Sequence, residues 1–449
     1  TDELWLGVDV GTGGIRALVM DDSGSVVGSG RADLDSIRAE GRHEQDPAQW
    51  WSAFGAACRS AVAGLAGVRG LAICSTSGTF TLASSDGALR TPGIMYDDAR
   101  AGGAWALDKL RWLLAADPSL ASSRLLHCAE YLGWRLCGLF VAADWSHSLK
   151  SGYDLEALSW PSDLGVPSSM LPTVVAPGSL LGEVSVDAAA FTGLAAGTPL
   201  YAGMTDSSAA QIAAGALSPG QWNSVLGTTL ALKGVSASRL TSDAVYSHRH
   251  PDGGWLPGGA SSVGAGILAA QFPSVAVVRM DAAASEFEPS TGIVYPLIGH
   301  GERFPFNDSS ARYFSAGSFV SDVDRYAATL QGVAFVERLC LAAVSLLGAD
   351  VSGPLLVTGG GSRSPYWRQI RADVLGRPVL LPSQAEGAYG MAILASARSE
   401  TLAAAAARRV RIASVCEPRD DRFEAAYHRF LDALDDRGYL PADLRAAAR

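Results

Sequence analysis

Residues 6–20 read LGVDVGTGGIRALVM, two short apolar runs flanking a turn of small residues. The pattern predicts two β-strands joined by a tight hairpin, with Asp9 inside the first strand. A plain hairpin accounts for the glycines, but backbone N–H groups that converge without Cβ atoms also bind anions. A carboxylate on a buried strand is costly unless it is paired or assists a metal, which favours a phosphate site with a hydrated Mg²⁺. The turn residues of this site would be Gly11, Thr12, Gly13 and Gly14.

Length and charge limit the class of protein. The chain has 449 residues, 48% of them hydrophobic, which favours two or three domains. A net charge of -10 argues against nucleic acid or an anionic membrane as the main partner, so small molecules are expected. The six cysteines show no CxxC or zinc spacing. The acidic amino terminus lacks signal-peptide features, and no apolar run reaches the ~20 residues of a membrane helix, so a cytoplasmic location is predicted.

The order of predicted elements indicates an α/β fold built from two similar halves. Three strands precede a helix that begins near Pro47, with Asp46 as its N-cap. After about residue 198 the same order of strand, turn and helix restarts. The sequence therefore predicts domains at residues 1–198 and 199–449 with a cleft between them. From Ala403 onward the chain is Ala-rich and predicted to be helical.

Asp206 lies in AGMTDSSAA (202–210), where a predicted strand passes into a helix. An N-cap is the simplest role for an aspartate at that position. The end of a strand in an α/β domain also points toward the ligand cleft, and a helix amino terminus stabilises an anion. Asp206 could therefore accept a proton from an attacking hydroxyl.

Two glycine-rich turns in the second half complete the pattern. VLGTTL (225–230) repeats the combination of backbone N–H groups and hydroxyls seen in the first hairpin. VTGGGSRSPYW (357–367) forms a wall without side chains that ends at a helix start, where Ser364 is the predicted N-cap. Neither turn is specific alone. In chain order with Asp9 and Asp206, they indicate a nucleotide-binding enzyme.

These residues resemble the FGGY family of carbohydrate kinases, and the resemblance spans nearly the whole chain. It implies a two-domain, duplicated actin/hexokinase-like (ribonuclease H-like) α/β fold with an interdomain cleft. The segments that carry it, in chain order, are GVDVGTGG (7–14), HEQDPAQWW (43–51), YDDAR (96–100), AGMTDSSAA (202–210), VLGTTL (225–230) and VTGGGSRSPYW (357–367).

The resemblance implies transfer of phosphate from ATP to a sugar hydroxyl, with Asp206 as the catalytic base. Mg²⁺ would be held by Asp9, through water. The implied sugar-binding residues are Asp9, Gly13, Gly14, Arg16, Ser77, Asp98, Arg100 and Asp206. The implied ATP-binding residues are Gly11, Thr12, Gly13, Gly227, Thr228, Thr229, Gly258, Gly259, Gly360, Gly361, Ser362, Ser364 and Trp367.

The segment CSTSGTF (74–80) bears on the choice of sugar. Xylulokinases of this family typically have Gln-Met-His-Gly there, whereas this segment is similar to a smaller subgroup of D-ribulose kinases. In that subgroup the positions matching Ser77 and Asp9 contact the ketopentose, so the resemblance favours conversion of D-ribulose to D-ribulose 5-phosphate. Asp98 and Arg100 are instead shared with xylulokinase-like relatives, and Gly13 replaces a serine common in the subgroup.

Three alternatives stay open at this point. One is a kinase for D-xylulose or for another ketose or polyol. A second is an actin-like ATPase without sugar phosphorylation, against which Asp98 and Arg100 count. The third is a sugar sensor with an inactive kinase site, against which Asp9 and Asp206 count. The expected partners are the sugar and ATP, not nucleic acid or a membrane, and a homodimer is left open.

Overall fold

The computed structural model describes residues 3–272 and 274–449. The strands, in chain order, are β1 (Leu4–Gly11), β2 (Gly14–Asp21), β3 (Val26–Asp33), β4 (Ile37–Ala39), β5 (Arg42–Gln45), β6 (Val68–Ser75), β7 (Phe80–Ala83), β8 (Gly93–Ile94), β9 (Arg124–His127), β10 (Ala143–Asp144), β11 (Val174–Val175), β12 (Leu180–Glu183), β13 (Pro199–Tyr201), β14 (Trp222–Leu226), β15 (Leu230–Gly234), β16 (Tyr246–Arg249), β17 (Trp255–Ser261), β18 (Ile293–Glu302), β19 (Asp308–Ala316), β20 (Leu355–Thr358), β21 (Val379–Pro382) and β22 (Ile412–Cys416).

The α-helices follow the same order. They are α1 (Pro47–Ala61), α2 (Ala106–Ala116), α3 (Cys128–Cys137), α4 (Trp145–Ser148), α5 (Val186–Thr192), α6 (Asp206–Ala214), α7 (Gly266–Gln271), α8 (Ser274–Ala284), α9 (Asp322–Leu346), α10 (Pro365–Leu375), α11 (Gly387–Ser396), α12 (Leu402–Arg409), α13 (Glu424–Asp435) and α14 (Ala442–Ala448).

The chain folds into two compact units, and the first is discontinuous in sequence. It comprises Thr1–Gly215 and Gln384–Val410, while the second comprises Ala216–Ser383 and Arg411–Arg449. These bounds differ from the predicted division at residues 198 and 199. Strand β13 pairs with β6, and α6 packs on α11, so the segment after residue 198 belongs to the first unit.

The central sheet of the first unit has the strand order β12-β13-β6-β1-β2-β3. Strands β1, β2 and β3 form the predicted antiparallel meander, and β6 and β13 run parallel on the other side of β1. Helix α1 begins as predicted, because Asp46 accepts a hydrogen bond from the Ala48 N–H and Pro47 occupies the first turn. A second sheet of this unit has the order β4-β5-β8-β7-β9.

The second unit repeats this topology. Its sheet has the order β16-β17-β15-β14-β20-β21-β22. Strand β15 pairs antiparallel with β14 on one side and with β17 on the other, whereas β14, β20 and β21 pair parallel in succession. The same directions occur around β1, so the predicted duplication of an α/β unit is confirmed.

The carboxyl-terminal part corrects one expectation. The stretch after Ala403 is not wholly helical, because β22 (Ile412–Cys416) pairs antiparallel with β21 at the sheet edge. Its Ile and Val residues favour a strand, which the alanine content of the surrounding sequence obscured.

Helix α9 forms the core of the second unit. By length and composition it is the one helix of the described residues that could cross a membrane, but 89% of its apolar window is buried inside the protein. Burial of this kind is what the central helix of a packed domain requires.

Candidate active site

Asp9 lies near the carboxyl end of β1 and is half-buried. In the sheet it pairs with Arg16 of β2 on one side and Cys74 of β6 on the other, and the Cys74 thiol donates to its Oδ1 at 3.4 Å. Burial raises the pKa of Asp9 to about 6, and the negative charge of Asp206 adds to this effect. The ionised carboxylate is therefore destabilised here, and a cation would relieve that cost.

Helix α11 brings its amino terminus to Asp9. A Cβ atom added at Gly387, the first residue of α11, would lie 3.1 Å from the Asp9 carboxylate. Close approach also requires Gly7, where a Cβ would lie 1.7 Å from the Ala388 carbonyl oxygen. The helix thus packs directly on β1, and its dipole favours an anion at this end.

Asp206 is the first residue of α6 and is half-buried. The N-cap of this helix is Thr205, so the alternative role of Asp206 as N-cap is wrong. Its Oδ1 accepts a hydrogen bond from the Ser207 N–H at 2.8 Å, which orients the carboxylate. Gly390 sets the distance between α11 and α6, because a Cβ there would lie 2.0 Å from the Ala209 carbonyl oxygen.

A buried polar network holds the start of α6. The Thr205 N–H donates to Ser146 Oγ at 3.0 Å, and Ser146 in turn donates to Asp144. His147 bonds Asp144 through Nδ1 and Ser75 through Nε2, the latter at 2.9 Å. Burial opposes protonation of His147, but the Asp144 carboxylate outweighs it and raises the pKa of His147 to about 9.

This network was not predicted from the sequence. The signal was present in DWSH (144–147), since an Asp before a short helix caps it and can reach the residue three positions on. What the sequence does not reveal is the packing of β6 against this helix, which supplies Ser75.

The tip of the first hairpin is held by Gln45, from the EQDP segment. Its Nε2 donates to the Thr12 carbonyl at 2.7 Å, while its Oε1 accepts from Trp50 Nε1 at 2.8 Å. Gly14 is required, because a Cβ would lie 2.8 Å from a β3 carbonyl, whereas at Gly13 a Cβ meets no atom within 4 Å. The Gly13 backbone therefore lies open at the tip of the turn.

We expect replacement of Gln45 by Leu to loosen this hairpin. The substitution removes these two hydrogen bonds and a third, from Gln45 Nε2 to Ser36 Oγ. It also leaves the Trp50 N–H unpaired, at a cost of about 1–3 kcal/mol. Steady-state kinetics should show an approximately tenfold lower kcat/KM for ATP. The Gln49→Leu variant on α1 is the matched control, because Gln49 is half-buried and bonds Asp35 rather than the hairpin tip. Equal effects of the two substitutions would contradict a role for Gln45 in shaping the turn.

Ser77 and Arg16 differ in exposure. Ser77 follows β6, and its Oγ is buried without a hydrogen-bond partner in the described part of the chain. Arg16 is exposed on β2, directly opposite Asp9. A buried hydroxyl without a partner is a position at which a ligand oxygen could complete the hydrogen bonding.

Asp98 and Arg100 bind each other. Arg100 donates to both oxygens of Asp98 and to Glu44, and its guanidinium lies over the Trp112 ring at 4.9 Å. Burial alone would raise the pKa of Asp98, but the bonds from Arg100 and from the His43 N–H outweigh it and lower that pKa. The Asp98 side chain has 0% exposure, so of these two predicted sugar-binding residues only Arg100 presents side-chain surface.

In the second unit, Gly227, Thr228 and Thr229 form the turn between β14 and β15. The Gly227 N–H donates to the Thr229 carbonyl at 3.0 Å, and the Gly227 carbonyl accepts from the Ala265 N–H at 2.8 Å. Thr228 and Thr229 are exposed. The turn therefore presents two hydroxyls, as the sequence predicts.

The glycine wall after β20 also forms as predicted. Gly359 has φ +86°, and Gly360 is exposed, with no atom within 4 Å of the position that a Cβ would take. Gly361 packs on Leu226 of β14. Ser364 caps α10 by accepting from the Trp367 N–H at 3.1 Å.

Four of the predicted ATP-binding residues are buried and present no surface to a ligand. Gly258 and Gly259 are buried within β17, where they pair with Lys233 and Leu232 of β15. They are therefore part of the sheet and not of the turn between β14 and β15. They are not on an open surface. Trp367 is 2% exposed, and its Nε1 donates to the Leu330 carbonyl of α9 at 3.1 Å, so it is a core residue.

The fourth of these residues is Ser362, whose buried hydroxyl already makes two hydrogen bonds within the protein. It donates to the Thr358 carbonyl at 2.7 Å and accepts from Arg371 at 2.9 Å. Arg371 also forms a fully buried ion pair with Glu337, at 2.6 Å. Because Arg371 bonds both Glu337 and Ser362, the ion pair holds the glycine-rich turn in place. Removing either partner of the pair would leave an uncompensated buried charge.

Comparison with known proteins identifies the family. The sequence matches the N-terminal domain of the FGGY family of carbohydrate kinases over residues 4–105 and 103–213, and the C-terminal domain of that family over residues 223–399. The chain belongs to the FGGY family of carbohydrate kinases. This FGGY kinase is accordingly an ATP-dependent sugar kinase, which confirms the resemblance and the predicted enzyme class. Both halves match sugar-kinase domains, so the actin-like alternative is set aside.

The names of two relatives of this FGGY kinase refer to related sugars. It is 28% identical to the xylulose kinase of Streptomyces coelicolor, with 96% of each chain covered. It is 26% identical to the L-xylulose/3-keto-L-gulonate kinase of Escherichia coli, with 88% of each chain covered. The xylulose kinase structure from Rhodospirillum rubrum matches with a TM-score of 0.87 at 23% identity, covering 97% of this chain and 99% of the other, which confirms the two-domain α/β fold.

Proposed function

We propose that this FGGY kinase phosphorylates the terminal hydroxyl of a ketopentose, with D-ribulose as the first candidate. One observation carries the proposal: Asp9 pairs with Cys74 of β6, and the next residue of β6, Ser75, forms a β-bridge with Thr205, which brings the start of α6 with Asp206 to the end of the strand pair that bears Asp9. Two carboxylates at the ends of neighbouring elements give the first unit both a base and a site for a cation.

In the proposed mechanism, Asp206 takes the proton of the attacking sugar hydroxyl. The Ser207 N–H fixes the orientation of its carboxylate, and the network through Thr205 and Ser146 holds the start of α6. The backbone N–H groups of the first hairpin, positioned by Gln45, would bind phosphate oxygens. In the second unit, Gly227, Thr228, Thr229, Gly360, Gly361 and Ser364 are the candidates for contacts to ATP.

The residues around Asp9 fit Mg²⁺. Carboxylate oxygens are the ligands that Mg²⁺ prefers, and the ionised form of Asp9 is destabilised by burial and by Asp206. When bound, Mg²⁺ would neutralise charge on the transferring phosphate. Asp9 would hold it through water, and Asp206 would stay available as the base.

The preference for D-ribulose rests on the surroundings of Ser77. Its buried, unpartnered hydroxyl could donate a hydrogen bond to a ketose oxygen or accept one from a ketose hydroxyl group. No Met or His side chain occupies the segment 74–80, and of its other hydroxyl groups Ser75 bonds His147 while Thr76 and Thr79 are paired. Those two threonines bond each other at 2.6 Å.

D-Xylulose is the second candidate. The observation in its favour is that the Streptomyces coelicolor relative, aligned over 96% of each chain, is named a xylulose kinase. Asp98 and Arg100, which the resemblance assigns to xylulokinase-like relatives, are both present.

A coupled assay of ADP release tests the proposal. D-Ribulose, D-xylulose, L-ribulose, L-xylulose, ribitol and glycerol would be compared by kcat/KM at saturating MgATP. The proposal expects the highest value with D-ribulose. A higher value with D-xylulose would overturn the substrate, and turnover of polyols without any ketopentose would overturn the substrate class.

A further inference from the structure

Lys150 lies beside Ser77 in the first unit. It follows α4, in the turn Leu149–Ser151, and its chain passes over Gly78, where an added Cβ would lie 3.4 Å from Lys150 Cδ. Its Nζ donates to the Ser77 carbonyl at 3.3 Å, the one acceptor that the described residues offer it within hydrogen-bonding distance. An ammonium group can donate three hydrogen bonds, so two donors stay available.

The same corner adjoins Asp206. Ser75 and Thr205 form a parallel β-bridge, so the two chain segments leave the sheet side by side. Ser77 follows that bridge by two residues, and Asp206 follows it by one. Burial lowers the pKa of Lys150, and the negative charge of Asp206 opposes this shift.

Lys109 of the same unit is a lysine with a structural role, and its burial and hydrogen bonds can be compared with those of Lys150. It is fully buried, and its Nζ donates to the carbonyls of both Met95 and Tyr96. Lys150 is only half-buried and bonds one carbonyl. Lys150 therefore lacks the pair of carbonyl acceptors that gives Lys109 a structural role.

We propose that Lys150 is a further substrate-binding residue, whose ammonium group and the Ser77 hydroxyl together bind an oxygen of the sugar next to Asp206. The inference rests on the proposed function, since it assumes a polyhydroxy acceptor in the first unit. A lysine has donors only, so it recognises a carbonyl or hydroxyl oxygen by its lone pairs.

Lys150→Met tests this assignment, because it keeps the length of the side chain and removes the charge. We expect the KM for the ketopentose to rise 10- to 100-fold, as for the loss of a hydrogen bond from a charged donor, while the KM for ATP stays within twofold. Lys150→Arg should recover part of the loss. Lys109→Met is the matched control, and we expect it to lower the melting temperature with an unchanged KM for the sugar.

An unchanged KM for the ketopentose in Lys150→Met would overturn the inference. So would parallel changes in both KM values together with a fall in melting temperature equal to that of Lys109→Met, because that pattern indicates a structural role. If the wild-type enzyme phosphorylates no ketopentose, the proposed function fails by itself. Calorimetric titration of D-ribulose and D-xylulose into wild type and Lys150→Met would then decide the Lys150 contact independently, and equal affinities would refute it.

Discussion

Replacing Asp206 with Asn is expected to lower kcat by a factor on the order of 10²–10⁴, the range that a positioned general base contributes. The amide cannot accept the hydroxyl proton, but it retains the size of the side chain and an oxygen for the Ser207 N–H. Nucleotide binding should be nearly unchanged, because the ATP-binding candidates do not include Asp206. Single-turnover and steady-state kinetics, with nucleotide affinity from calorimetric titration, measure both quantities.

The matched control is Asp187→Asn, which removes an acidic residue from the first turn of α5. Asp187 is exposed, so this substitution tests the effect of helix-end charge alone. Wild-type kcat in Asp206→Asn, or an equal loss in Asp187→Asn, would contradict the role of Asp206 as base.

Asp9→Asn is expected to lose activity while gaining stability. Removal of the carboxylate should lower kcat/KM by on the order of 10²–10³, as for loss of a group that stabilises transition-state charge, and should weaken the dependence of the rate on Mg²⁺ concentration. Titration of the rate with MgCl₂ provides the measurement. Asp33→Asn, on the exposed end of β3, is the control for a charge near the same hairpin.

The gain in stability follows from the sign of the pKa shift. The pKa of Asp9 is about 6 in the folded protein against 3.8 as the ordinary value, so the native state binds a proton more tightly than the unfolded state. Folding stability therefore falls as pH rises from about 4 to 6, and the ionised carboxylate opposes folding at higher pH. Because Asp9 is partly exposed, the cost is on the order of 1–2 kcal/mol.

Without Mg²⁺, urea unfolding should show Asp9→Asn to be more stable than wild type at pH 8 and equally stable near pH 4. A variant that is less stable than wild type at pH 8 would contradict the cost assigned to the ionised carboxylate.

Local signals explain how far the fold could be predicted. The meander of β1, β2 and β3, the Asp46 cap of α1 and the Ser364 cap of α10 depend on neighbouring residues, and all three form as predicted. The unit boundary depended on contacts distant in sequence, because α11 packs on β1 and α6. No local pattern around residue 387 indicates that its neighbour is Asp9.

The site shows the same division. Asp9, Asp206 and the two glycine turns have local signatures, and the strand end, helix start and turns predicted for them are those that the structure has. Trp367 and Ser362 belong to the same motif, but the amphipathic pattern of α10 buries Trp367, and Ser362, in the turn before α10, is buried against Arg371. The contacts of His147 and Lys150 were not predicted, because they depend on how β6 and the residues after it pack on α4 and the turn that follows.

The discontinuous first unit has a consequence for synthesis in the cell. The strand bearing Asp9 ends at Gly11, yet the helix that covers it is completed only at Ser396. At about 5–20 residues per second, the ribosome needs on the order of 20–80 seconds to make the intervening chain. During that interval the nascent sheet would expose the apolar face that packs on α11, so we expect the first unit to be open to premature association until α11 has been made.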